Sequence, residues 1–319
     1  MSIVAILSRS DGSDEEVDLA THARRTAKDD ELLWVDLDGS DAGDLEAVRA
    51  ALDPGDQAME ALATTIGELG VRVLPGGETE VTASPPARAD DRNPERIRAV
   101  LGPGWVVTQH DGPSASLDAY RERIRDGREV GRLTSIEFLT AILDWYVDGF
   151  FHAAEMAERA VDRLDDEALV GDSDILEALV RARRHIARLR RVLVANREVF
   201  SELARPDFVA RLSEEEIRAL RQVTDRLDRA GEAIGHVREM LVGTFDIHMT
   251  RTAQRTNDIM RVLTWASVIL LPAVVVAGVM GMNFKVPLFD DPNLFFVVVG
   301  LMLVTAVGTL VVARWRGWL

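Results

Sequence analysis

VLTWASVILLPAVVVAGVMGM at residues 262–282 and LFFVVVGLMLVTAVGTLVVA at residues 294–313 decide the architecture of this chain. The first is 21 residues without a charge and the second is 20. At 1.5 Å per residue, a helix of either length reaches across a hydrocarbon core of about 30 Å. A helix in a soluble core rarely runs uncharged for so long, and two in tandem are rarer still. Both stretches are therefore read as transmembrane helices.

Only residues 283–293 separate the two runs, so they form a hairpin. Arg251, Arg255 and Arg261 precede the first run, and Arg314 and Arg316 follow the second. The connecting loop carries Lys285 against Asp290 and Asp291. Basic residues stay on the cytoplasmic side, which puts both ends inside and the loop outside. Trp265, Trp315 and Trp318 stand where interfacial aromatics belong. Ile3 to Leu7 is too short an apolar run for a signal peptide, so the N-terminus is expected to remain cytoplasmic. Two helices enclose no water-filled path. A conducting assembly would need several copies around an axis, and closed symmetry is the usual solution.

Net charge is −16 over 319 residues. Residues 262–319 hold Lys285, Arg314 and Arg316 against Asp290 and Asp291, so −17 falls on residues 1–261. A strongly acidic soluble part disfavours nucleic acid and suits a protein that concentrates cations, although acidity also serves solubility. The chain has no cysteine, which excludes disulfides and Cys-ligated zinc. Its six histidines show no H-E-x-x-H or other ligand spacing, and no nucleophile–base pair stands out, so enzyme chemistry is not expected. No Walker A pattern is present, so neither ATP-driven pumping nor a bound nucleotide is expected.

Residues 1–132 read as an α/β domain. Leu32 to Leu37, Val71 to Leu74 and Trp105 to Thr108 are strand-like, with helical patterns over Asp44 to Leu52 and Gln57 to Leu69. Residues 133–205 read as an antiparallel helical arm, turning at Gly171-Asp172-Ser173 and ending before Pro206. From Glu137 to Glu177 there are 12 acids against Arg159 and Arg163; from Ala178 to Arg205 there are eight arginines against Glu198 and Glu202. Two antiparallel helices of opposite charge are expected to satisfy one another, or to form an acidic arm that gathers cations. Ser213-Glu214-Glu215-Glu216 is a capping box that opens a further helix. Nothing breaks that helix before Pro272, which a membrane helix tolerates. A stalk over 213–261 is thus expected to continue into the first span, about 105 Å in all.

Steps of three and four mark one stripe of this helix: Asp246, Thr250, Ala253, Asn257, Met260, Thr264, Ser267, Leu271, Val274 and Gly278. In a ring of copies the polar positions would meet a hydrated ion, and Met260, Leu271 and Val274 would form hydrophobic constrictions. The same small residues would equally serve helix packing.

The stretch Thr256-Asn257-Asp258-Ile259-Met260-Arg261-Val262-Leu263-Thr264 leads through Pro272 and Ala277-Gly278-Val279 to Gly281-Met282-Asn283-Phe284. This resembles the signature of the CorA magnesium transporters, whose hallmark is Gly-Met-Asn at the outer end of the first membrane helix. Trp34-Val35-Asp36-Leu37, Val106 to His110 and Leu143 to Asp148 resemble weaker landmarks of that family, in the expected order.

The resemblance implies an α+β membrane protein: a cytoplasmic α/β domain, an arm, a long stalk and two C-terminal spans, assembled as a funnel-shaped homopentamer in the cell membrane. It implies Mg²⁺ as substrate and as intracellular regulatory ligand, with no other cofactor. Gly281, Met282 and Asn283 would form the selectivity filter. Asp246 and Asn257 would form inner rings, and Asp225 and Asp228 are candidate regulatory metal ligands. Arg314 and Arg316 would form a basic ring at the inner mouth or simply anchor the topology. Met280 stands where the family often has an aromatic, and Lys285 where many members carry an acid; these departures bear on ion rank, for which Co²⁺, Ni²⁺ and Zn²⁺ remain alternatives. A membrane-tethered scaffold without conduction is the reading from another class.

Overall fold

The computed structural model describes residues 3–9, 14–19, 31–39, 41–86, 94–125, 133–170, 175–282 and 293–315. The elements run β1 (Ile3–Arg9), β2 (Asp14–Glu16), β3 (Glu31–Asp38), α1 (Ala42–Leu52), α2 (Asp56–Ala63), β4 (Gly70–Val73), β5 (Thr79–Ala83), β6 (Ile97–Gly102), β7 (Trp105–His110), α3 (Ala115–Arg125), α4 (Ser135–Val170), α5 (Ile175–Leu203), α6 (Pro206–Val209), α7 (Glu214–Met280) and α8 (Leu294–Trp315). They fall into two units, Met1–Phe245 and Asp246–Leu319.

In the first unit seven strands form one sheet in the order β2-β1-β3-β7-β6-β5-β4. Only β3 and β7 are parallel, with Val35 opposite Val107 and Asp36 opposite Thr108. Alternation along β3 sends Leu33, Val35 and Leu37 to the face covered by α1 and α2, where Val48, Leu62 and Val107 complete a core. Trp34 points to the other face, edge to face with Tyr120 of α3 and packed on Phe138 of α4. A strand covered on both faces reads as a continuous apolar run, which is why Leu32 to Leu37 is legible without an alternating pattern.

The strands β1, β2, β5 and β6 have no counterpart among the sequence expectations, and the helix expected to reach Leu69 ends at Ala63. Arg98 of β6 explains that early stop. Its guanidinium is buried and donates to the carbonyls of Ala61 (2.5 Å), Thr64 (2.9 Å) and Thr65 (2.9 Å). A cation thus gathers carbonyls at and just beyond the helix end, where the helix dipole is negative. Arg98 is met in turn by Glu80 of β5, with Nε and Oε1 3.0 Å apart.

The capping box forms: Ser213 N–H donates to Glu216 Oε2 (2.8 Å), and Glu216 N–H donates to Ser213 Oγ (3.2 Å). A second box, Thr134 with Glu137, opens α4 in the same way. The two boxes touch, because Thr134 Oγ1 donates to Glu216 Oε1 at 2.6 Å. The starts of α4 and α7 are therefore tied side chain to side chain. Farther along, Arg226 of α7 bridges Asp144 and Asp148 of α4.

The buried residues of α7 run Glu216, Leu220, Val223, Leu227, Ala230, Ile234, Val237, Leu241 and Thr244. The steps alternate four and three, a seven-residue repeat that presents one seam to the arm. The seam stops at Thr244. Within the second unit α7 continues to Met280 across Pro272, and α8 spans 22 residues. Both are long and apolar enough to cross a membrane, and none of the apolar window in either is buried.

Candidate functional site

Every member of the stripe is on α7 and exposed in the single chain: Asp246, Thr250, Ala253, Asn257, Met260, Thr264, Ser267, Leu271, Val274 and Gly278. At 100° per residue they stay within an arc of about 120° over nine turns. The hydroxyls are already occupied: Thr250 donates to the Asp246 carbonyl (2.8 Å), Thr264 to Met260 (2.8 Å) and Ser267 to Leu263 (2.9 Å). Their lone pairs still face outward as acceptors, which is the polarity a water carrying a cation's charge requires. Met260, Leu271 and Val274 are each more than half exposed, with only small or polar residues between them on this face.

The helix closes at its C-terminal end by the Gly281 N–H donating to the Ala277 carbonyl (2.9 Å) and the Met282 N–H to Val279 (3.2 Å). A Cβ on Gly281 would lie 3.2 Å from the Ala277 carbonyl oxygen, so a side chain there would force the turn to shift. Gly281 and Met282 thus form the last turn of the first span. Asn283, Lys285, Asp290, Asp291 and Arg316 lie outside the described residues.

The proposed regulatory acids are not drawn together. Asp228 is held by Arg197 of α5 at 3.0 Å, and Asp225 is exposed on α7. Among the described residues no three His, Asp or Glu side chains are placed to hold one metal ion.

The upstream landmarks do converge, at the carboxyl ends of the parallel strands. Asp36 accepts hydrogen bonds from Thr108 Oγ1 (2.5 Å) and Arg121 Nη2 (3.0 Å), and lies 3.4 Å from His110 Nε2. Trp34 Nε1 donates to Thr108 (2.9 Å), and His110 Nδ1 donates to the Gly112 carbonyl (2.6 Å). The motif around Trp34 and the motif around His110 are thus two halves of one buried network. Burial opposes a charge on the His110 imidazole, but Asp36, the Gly112 carbonyl and Asp38 outweigh it and raise its pKa above 6.5. A raised folded-state pKa adds stability that is complete below the unfolded value near 6.5 and is lost as pH rises through the folded value. We therefore expect the melting temperature of the wild-type chain to fall as pH rises above about 6.5, and this component to vanish in His110→Gln. Differential scanning fluorimetry against pH checks it; a parallel slope in both proteins would refute it.

The chain is 27% identical over 228 residues to the cobalt/magnesium transport protein CorA of Thermotoga maritima, a stretch covering 70% of this chain and 65% of that one. In structure it is similar to the CorA magnesium transporter of Methanocaldococcus jannaschii, with a TM-score of 0.82 at 19% identity over 100% of this chain and 99% of that one. It is also similar to full-length CmaX, with a TM-score of 0.73 at 21% identity over 99% and 97% of the two chains. These last two likenesses establish the fold. The family model described as CorA-like Mg²⁺ transporter protein matches residues 29–314, nearly the whole chain, and so the chain belongs to that family of ion transporters.

Proposed function

We propose that this chain is one subunit of a ring of identical subunits, a homopentamer on the family's pattern, that passes Mg²⁺ down the membrane potential into the cell. The observation that carries the reading is the stripe on α7. It is polar or small from Asp246 to Thr264, interrupted by Met260, bulky and apolar at Leu271 and Val274, and it ends at Gly278, one turn before Gly281 and Met282. A single chain leaves this face uncovered, and copies around an axis would turn it inward.

Mg²⁺ dehydrates reluctantly, so a site that recognises it does best to hold its waters by hydrogen bonds. A ring of Asn283 amides offers carbonyl acceptors to those waters without a fixed charge that would trap the ion. Two charges crossing 100 mV gain about 4.6 kcal/mol, enough to drive uptake without ATP. Occupation of the intracellular part by divalent cation would favour the closed state. Co²⁺ is the second ion to test, since the Thermotoga relative is described as transporting both.

The test is Mg²⁺ influx into proteoliposomes holding a Mg²⁺-sensitive dye under an inside-negative potential. Wild type is expected to conduct, and Asn283→Ala to lose influx. Influx unchanged by the substitution removes the filter assignment. No influx of Mg²⁺ or Co²⁺ at low internal metal removes the transport reading in favour of a scaffold.

A further inference from the structure

Several opposite charges of the arm are left over among the described residues. Asp162, Asp165, Asp166 and Glu158 of α4 have no ion-pair partner among the described residues, and neither do Arg183, Arg190, Arg191 and Arg238. The acids fall on one stripe beside the helix's buried face, Glu155, Glu158, Asp162, Asp165 and Asp166, ending at Leu169, which is 47% exposed. Steps of three, four and three carry Glu155 to Asp165, and Asp166 stands at the other edge of the same arc of about 100°.

The arginines line a groove between α5 and α7 with a volume near 490 Å³. Its rim holds Arg183, Arg190, Arg191 and Arg238, and its floor holds Ile186 and Leu241. On α5 the stripe reads Arg183, Ala187, Arg190, Val194, Arg197, again in steps of four and three, and Val194 is 47% exposed. The α5 stripe is about 21 Å long and the acidic stripe, from Glu155 to Leu169, is also about 21 Å. Two faces of matched length and opposite charge, each with an exposed aliphatic side chain, lie on different surfaces of one chain.

We propose that the acidic stripe of α4 in one copy seats in the arginine groove between α5 and α7 of the next copy. Complementary patches at different places on the same chain make a heterologous contact, and such contacts close into rings. The inference rests on the reading that copies surround an axis, and it adds which surfaces meet. The charges set register and exclude wrong pairings more than they add affinity.

The absence of cysteine makes the test direct. Full-length chains carrying Asp162→Cys and Arg190→Cys are co-expressed, extracted in mild detergent and oxidised. A disulfide joining the two variants is expected, with none between Asp162→Cys and a control chain carrying Glu60→Cys. Adding Arg183→Glu and Arg191→Glu to the Arg190→Cys chain should abolish the cross-link. Adding Glu158→Arg and Asp165→Arg to its partner should restore it, which a folding defect would not do. A cross-link no stronger than the control, in protein that assembles and transports, overturns the interface while leaving the pore reading intact. Inorganic triphosphate binding to the assembled wild type, lost in Arg183→Gln/Arg190→Gln, overturns it as well, because the groove would then be open. A cross-link without transport supports the interface and counts against the pore alone.

Discussion

Glu80→Ala is expected to unfold most of the α/β sheet's outer half. Glu80 is 3% exposed and Arg98 is 1% exposed, and the pair joins two neighbouring interior strands, β5 and β6. Glu80 Oε2 also accepts from Arg72 Nε at 2.9 Å, so one carboxylate offsets two guanidinium groups. Removing it leaves the charge of Arg98 buried with backbone carbonyls and Gln109 as its hydrogen-bond partners. Breaking a buried pair from one side costs about 3–5 kcal/mol, against a total stability of about 5–15 kcal/mol for a domain. The midpoint of guanidinium denaturation, followed by tryptophan fluorescence of the full chain, should fall sharply. Hydrogen exchange should speed up first in β5 and β6. Glu80→Ala/Arg98→Met should recover part of the loss, because the double variant buries no charge. A single variant as stable as wild type would mean that water reaches Arg98 and that the pair is not truly buried.

That pair also shows where the sequence stops being readable. Thr79-Glu80-Val81-Thr82-Ala83 has two threonines and an acid in five residues, yet every one of them is buried. What makes the segment a central strand is Arg98, eighteen positions away, and Arg72, eight positions back. A window of local hydropathy holds neither. The same long-range arginine ends α2 at Ala63, where apolar spacing alone carries the helix on. Local signals fared otherwise. The box Ser213 to Glu216 is complete within four residues, and it forms as the spacing predicts. The two spans are each decided by their own composition, and both appear as helices.

The candidate site divides along the same line. One helix's periodicity is enough to put Asp246 to Gly278 on one face, and they share it. What that face meets is not written in the periodicity of one helix. The charges of the arm taught a related lesson. Twelve acids followed by eight arginines invite the expectation of mutual pairing, but Arg159 pairs within α4, Arg181 pairs within α5, and Arg197 reaches Asp228 of α7. Segregation along the chain measured charge, not contact. The family landmarks had no visible purpose in sequence. In the structure they are the hydrogen-bonded network of Asp36, Thr108 and His110, and the clamp of Asp144 and Asp148 on Arg226.

Leu271→Asn is expected to open the resting pore. If the stripe lines the path, a ring of Leu271 with Val274 one turn on forms a constriction that excludes water when narrow. A hydrated Mg²⁺ sheds its shell reluctantly, so on this reading the barrier is set by the cost of wetting the ring. An asparagine in each copy supplies an amide donor and a carbonyl acceptor at that level and removes much of the cost. Each 1.4 kcal/mol taken from the barrier raises the rate about tenfold, so resting influx should rise at least about tenfold. The effect should be largest in vesicles preloaded with Mg²⁺, where the wild type is expected to be closed. Leu270 gives the control. It is 61% exposed, close to the 63% of Leu271, but sits 100° around the helix. Leu270→Asn should reduce membrane insertion and yield without raising influx per inserted molecule. Equal leaks from both variants would mean that asparagine merely loosens the span and that the stripe does not face the ion. A leak confined to Leu271→Asn, passing Mg²⁺ and blocked by a substitution-inert hexaammine complex of the same size as the hydrated ion, would place the gate on that face of α7.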